Sequence, residues 1–137
     1  MIIYVLLVAH FVGDFLCQSD WMAVNKSQRW DALALHVLAY SAVLAVAVIV
    51  GHGDTPQALW FLSTNVAAHF IQDAITSRIN ARLWFLDTTT GARDRYLHDG
   101  EFIGRFNDKR HWFFVGIGFD QLLHYVTLFV TAGWWLR

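Results

Sequence analysis

The sequence predicts an all-α protein, an up-and-down four-helix transmembrane bundle, and three observations predict it. Hydrophobic residues make up 56% of the 137 and charged residues only 15%, against roughly 25% charged in an ordinary soluble domain. Four apolar runs approach the roughly 20 residues that cross a hydrocarbon core about 30 Å thick. Lys and Arg gather in two of the three connections between those runs. At this length a single domain spanning residues 1–137 is expected.

The first helix is expected over residues 2–23. No Lys or Arg precedes its apolar run and no small-x-small pattern interrupts it, so it reads as a span and not a cleaved leader. A connection holding Asn25, Lys26, Ser27 and Arg29 leads to a second helix over residues 32–50. Gly51, Gly53 and the single proline, Pro56, make the next connection, with Pro56 placed to open a third helix over residues 58–79. The fourth is expected over residues 112–136. Between the last two lies a long loop in which Leu83-Trp84-Phe85-Leu86 and Phe102-Ile103 are candidate lipid-touching residues at the interface.

Orientation follows from Lys and Arg, which accumulate on the cytoplasmic side. The first connection carries Lys26 and Arg29, and the third, with its helix end, carries Arg78, Arg82, Arg93, Arg95, Arg105, Lys109 and Arg110. Only Arg137 lies elsewhere. Those two connections should face the cytoplasm, with both termini outside. Trp21, Trp30 and Trp112 then mark the inner boundary, and Trp60, Trp134 and Trp135 the outer one. A formal net charge of -1 gives no case for a nucleic-acid partner. One cysteine, Cys17, excludes an intrachain disulfide framework and reads as a small apolar filler.

Three His and Asp pairs stand four residues apart, each inside an apolar run: His10 with Asp14, His69 with Asp73, and Asp120 with His124. That spacing puts both members on one helix face. The last pair is reversed, as an antiparallel fourth helix requires if histidines and aspartates are to form two layers. His36, on the second helix, joins the layer nearer the cytoplasm. Ionisable groups at such depth are costly, roughly 2.5–3.5 kcal/mol per Asp, and are retained mainly when paired and used. Imidazole and carboxylate together are ligands for Zn, Mn or Fe(II), so His10, Asp14, His36, His69, Asp73, Asp120 and His124 are candidate ligands for one or two divalent ions, zinc first. A diiron centre of the Glu-x-x-His type is excluded, because Glu101 is the single glutamate and lies in a loop. Gln18 and Gln121 are expected to hydrogen-bond the ligands; His52, His98 and His111 read as solvated or interfacial. A paired His and Asp is also a common structural couple, and that reading stands beside the metal for any one pair.

The segments His10-Phe-Val-Gly-Asp14-Phe-Leu-Cys-Gln18, His36, His69-Phe-Ile-Gln-Asp73 and Asp120-Gln-Leu-Leu-His124, with Asp20-Trp21-Met22-Ala23, resemble a family of small bacterial and phage membrane proteins known as domain of unknown function 3307. The resemblance spans nearly the whole chain and implies a four-helix protein of the bacterial inner membrane. A looser likeness, in motif style only, is to membrane-bound metal-dependent hydrolases and to the zinc phospholipase C and P1 nuclease type. This chain lacks the N-terminal Trp ligand and extra histidines of those soluble enzymes.

Together these features point to a metal-dependent hydrolase working from the cytoplasmic side on a phosphoester, with a lipid head group among the candidates. Asp14, Asp73 and His36 would be catalytic as well as ligating, His36 as ligand or proton shuttle and an Asp as base, with metal-activated water as nucleophile. Two other classes remain: a proton or cation pathway through the same cluster, and a membrane adaptor with a structural metal site. The apolar outer halves of the first two helices, Ile2 to Ala9 and Val43 to Val50, favour the enzyme over the pathway; Ser63, Thr64 and Asn65 keep the pathway alive.

Overall fold

In the computed structural model, the backbone is described for residues 2–95 and 111–135, and side chains for residues 2–84 and 111–135. The described residues are helical in five segments, with a π-helical piece in the first: α1 Ile2–Phe11 running into a π-helical stretch at Val12–Leu16, α2 Asp20–Asn25, α3 Trp30–His52, α4 Pro56–Arg95 and α5 His111–Trp135. The all-helical fold is as expected. Two of these helices, α3 and α5, are long and apolar enough to cross a membrane; Ile2–Leu16 is apolar but shorter.

Two element boundaries differ from the expectation, each for a local reason. The helix expected over residues 2–23 stops at Leu16 and restarts at Asp20. Ser19 is extended and its Oγ accepts from Met22 N at 3.3 Å, an N-cap that begins a new helix. Just before that break, Cys17 N donates to Val12 O at 2.9 Å, the i to i+5 bond of a π turn. Cys17 consequently lies exposed at the break instead of filling the core. The third helix, expected to end near Ile79, runs on to Arg95. Hydropathy falls at Arg78 and Arg82, but that measures how much chain lipid would cover, and no proline intervenes to end the hydrogen-bond ladder. At about 1.5 Å per residue, α4 outreaches a hydrocarbon core by a wide margin. Leu83 and Trp84 are thus helical, whereas the side chains of Phe85 and Leu86, and Phe102, Ile103 and His98 altogether, fall outside the described residues.

The packing is polar at mid-depth and apolar at one end. Leu6, Tyr40, Leu44, Val48, Ala58, Phe61, Leu128 and Ala132 form an apolar cluster near the α3–α4 connection, sealed by Ile2, Leu62 and Trp135. Trp60 stacks on Trp135 at the same end. At the opposite end Trp30 stacks on Phe70 and carries the Arg78 guanidinium on its ring face, 4.3 Å from the centroid. Large apolar side chains such as Val8, Leu38, Val46, Val50, Ile71, Phe119 and Leu122 point outward, while His10, Asp14, His36, His69, Asp73, Asp120 and His124 are buried. Buried ionisable groups together with exposed large apolar side chains depart from the soluble pattern.

Small and polar residues set the helix contacts. A Cβ on Gly13 would lie 3.1 Å from Tyr40 Cα and 3.3 Å from Tyr40 O, so glycine lets the π segment approach α3 backbone to backbone. At Gly116 of α5 the space a Cβ would take is filled by the side chains of Asn80 and Leu83 of α4. Three hydrogen bonds at successive levels then clip α4 to α5: Asn65 Nδ2 to Thr131 Oγ1 at 2.8 Å, Gln72 Nε2 to Thr127 Oγ1 at 2.8 Å, and Thr76 Oγ1 to Asp120 Oδ1 at 2.5 Å. Bonds of this kind within a bilayer contribute about 0.6 kcal/mol each.

Candidate metal centre

Each helix that reaches mid-depth brings its ionisable groups to one buried locus. The i,i+4 spacing does what helix geometry demands: His10 and Asp14 approach to 3.8 Å, His69 and Asp73 to 3.9 Å, and Asp120 and His124 to 3.3 Å. The shortest contacts are between helices and decide the arrangement. His36 Nε2 lies 3.1 Å from Asp14 Oδ1, 3.0 Å from Asp73 Oδ2 and 3.2 Å from His69 Nε2. His69 Nε2 is 3.7 Å from Asp14 Oδ1 and 3.9 Å from Asp73 Oδ2. Four metal bonds of 2.0–2.2 Å in a tetrahedron require ligand atoms about 3.3–3.6 Å apart. The group Asp14, His36, His69 and Asp73, with ligand atoms all within 4.8 Å of one another, is near those dimensions.

A second group adjoins it. Asp73, Asp120 and His124 also converge within 4.8 Å, with His124 Nε2 3.1 Å from Asp73 Oδ1 and 3.3 Å from Asp120 Oδ1. Asp73 therefore belongs to both groups, its Oδ2 facing His36 and its Oδ1 facing His124. Either oxygen of Asp73 would thus be available to an ion held by its own group.

The buried atoms around the first group test whether hydrogen bonding alone explains it. Asp14 is 4% exposed, and its Oδ1 makes no hydrogen bond of good geometry, its near neighbour being His36 Nε2 at 3.1 Å. Leaving such an oxygen unpaired costs roughly 1–3 kcal/mol or more for a charged group. A cation at the centre of the four atoms would satisfy it, so the residues present fit a divalent metal.

His10 stands beside these groups. Its Nε2 is 3.2 Å from Gln121 Oε1 and its Nδ1 3.4 Å from the Tyr40 hydroxyl. Asp14 lies within the π-helical stretch that begins just after His10, and the two side chains diverge: Asp14 faces His36 while His10 faces Tyr40 and α5. Gln121 links the two, donating from Nε2 to Asp14 Oδ2 at 2.7 Å, as expected of a residue that orients a ligand. Gln18 Oε1 has no such partner. His36, placed by its depth alone in the sequence, is the hub of the first group.

Two members of the cluster are not evident from the sequence pattern. Tyr40 stacks on the His69 ring, centroids 3.8 Å apart and planes 4° from parallel, and fixes that imidazole. A signal does exist for it: Tyr40 follows His36 by four. Lys26 reads in the sequence only as a topological charge, yet its Nζ donates to Asp73 Oδ2 at 2.9 Å and lies 3.3 Å from His36 Nε2. No periodic pattern marks Lys26, because it caps the short helix α2, which a single long first helix does not contain.

Residues 2–136 match the family described as Protein of unknown function (DUF3307). The chain belongs to the DUF3307 family. The looser likeness to metal-dependent hydrolases gains no such support, since no curated protein and no solved structure matches this DUF3307 chain. What the chain itself carries is a buried His and Asp cluster whose ligand atoms could hold a metal ion.

Proposed function

We propose that this DUF3307 protein is a four-helix membrane protein of the bacterial inner membrane and a metal-dependent hydrolase of phosphoesters, holding two divalent ions bridged by Asp73. One observation carries the reading: Asp73 is shared between two groups of convergent His and Asp atoms, one of which includes a buried carboxylate oxygen without a hydrogen bond. Two adjacent ions are suited to clamp the attacking and leaving oxygens of a phosphoester displacement. Water adds to phosphorus, the bond to the alcohol oxygen breaks, and that oxygen takes up a proton. One of the cluster carboxylates, Asp14, Asp73 or Asp120, accepts the water proton. Zinc suits the mixed nitrogen and oxygen donors; manganese and iron(II) are alternatives.

The apolar cluster of Leu6, Leu44, Val48, Phe61 and Leu128 closes the bundle on one side of the site. This supports an enzyme over a pathway, which needs polar groups to continue outward. Detergent-purified protein should carry about two equivalents of metal and hydrolyse a chromogenic phosphoester, with loss of both on treatment with a chelator and recovery on adding Zn or Mn. Metal-free protein of normal stability sinks the proposal; metal without hydrolysis of any phosphoester leaves the structural-site reading ahead.

The cytoplasmic placement rests on nine Lys and Arg in the first and third connections against one elsewhere. In a Cys17→Ser background, a cysteine at Thr89 should be shielded from an impermeant thiol reagent in intact cells and one at Gly53 labelled. The reverse pattern overturns the orientation.

A further inference from the structure

Lys26 makes a contact with the cluster that a metal site does not explain. Its ammonium donates to Asp73 Oδ2 at 2.9 Å and sits 3.3 Å from His36 Nε2, the same two atoms that complete the four-atom group. A divalent ion bound to Asp73 Oδ2 would repel an ammonium held this close to the same oxygen, so the two cations exclude each other at that atom. Lys26 is also less enclosed than the ligands. It caps the six-residue helix α2, set off from α1 by the break at residues 17–19, and its side chain is 16% exposed while the ligand side chains of Asp14, His36, His69 and Asp73 are at most 4%. It therefore stands between the buried ligands and water.

The charges indicate what enters. Asp14, Asp73 and Asp120 against Lys26 leave two negative charges with neutral imidazoles. Two divalent ions reverse this to two positive charges, which a phosphate monoester dianion balances and a singly charged diester does not. We infer that Lys26 is a tethered cation that holds the ligand site until metal loads and then binds the phosphate of a monoester at the mouth of the site. This rests on the two-ion reading above and adds to it the substrate class and the residue that recognises it. Lysine suits both roles, because its ammonium is a point charge on a flexible stem with three donors and no fixed fork.

The test measures two dissociation constants on detergent-solubilised full-length protein, for Zn on the metal-free form and for inorganic phosphate on the Zn-loaded form. Lys26→Met removes the competitor and the phosphate contact together. It should bind Zn at least tenfold more tightly and phosphate at least tenfold more weakly, and Lys26→Gln, a second neutral variant, should do the same, whereas Lys26→Arg should keep phosphate affinity within about threefold. A merely structural lysine would lower Zn affinity or move neither constant. Either constant unchanged, or shifted the other way, in both neutral variants overturns the proposal. Wild-type protein that takes up no Zn sinks the metal reading itself, a distinguishable failure. Competition by dodecyl phosphate at a tenth of the inorganic phosphate concentration identifies a lipid head group as the source, and equal potency a soluble monoester; either upholds the phosphate site.

Discussion

Asp73→Asn protein is expected to retain less than a tenth of the wild-type metal, the largest loss of any single substitution in the cluster. Asp73 offers Oδ2 to the group with Asp14, His36 and His69 and Oδ1 to the group with Asp120 and His124. An amide keeps the shape but turns one ligand oxygen into an NH2 donor and removes the charge, so both groups fail together. Changing even a residue that only orients a ligand typically costs 10- to 100-fold in metal affinity, and a bridging ligand should exceed that. His10→Ala is the informative contrast. With its ring committed to Gln121 and Tyr40, His10 should be replaceable with metal content held within about twofold. Metal analysis on both variants, with circular dichroism to establish that each is helical, checks this. Equal losses from the two would show that His10 is a ligand after all and that Asp73 is no hub.

The second large effect concerns the reversed pair. Exchanging Asp120 and His124 preserves composition and charge, and the two groups still meet at i,i+4. A structural couple tolerates that. In the bundle, however, His124 Nε2 faces Asp73 Oδ1 at 3.1 Å and its Nδ1 lies 3.1 Å from His69 Nδ1, while Asp120 Oδ1 receives the Thr76 hydroxyl. The exchange sets a carboxylate against Asp73 and an imidazole against Thr76. Ligand atoms must be held to within about 0.5 Å of productive geometry, so the group with Asp120 and His124 should fail while that with His36 and His69 survives. Metal content should fall from about two equivalents toward one, and hydrolysis should be lost. Two equivalents retained would mean that the second group holds no ion.

Much of the cluster was legible because helix periodicity is rigid. Once residues 10 and 14, 69 and 73, or 120 and 124 are helical and inside, their side chains must share a face, and the high cost of a buried ionisable group makes convergence the expected outcome. Boundaries were less legible. Hydropathy located the apolar stretch of α4 but not its end at Arg95, because lipid contact and backbone hydrogen bonding answer to different rules.

From the sequence alone came the all-helical class, the family, and the three His and Asp pairs with their shared faces, all of which depend on composition and on the 3.6-residue repeat. Tertiary structure alone decided which pairs meet. It made Asp73 the shared ligand, turned His10 aside toward Gln121 and Tyr40, and brought Lys26 from a connection into the carboxylates. The physical reason is that helical periodicity specifies which residues lie on a face but leaves open how each helix is rotated about its axis against its neighbours. That rotation is set by particular contacts, namely the π turn at Val12–Leu16, the close approach at Gly13 and the hydrogen bonds between α4 and α5.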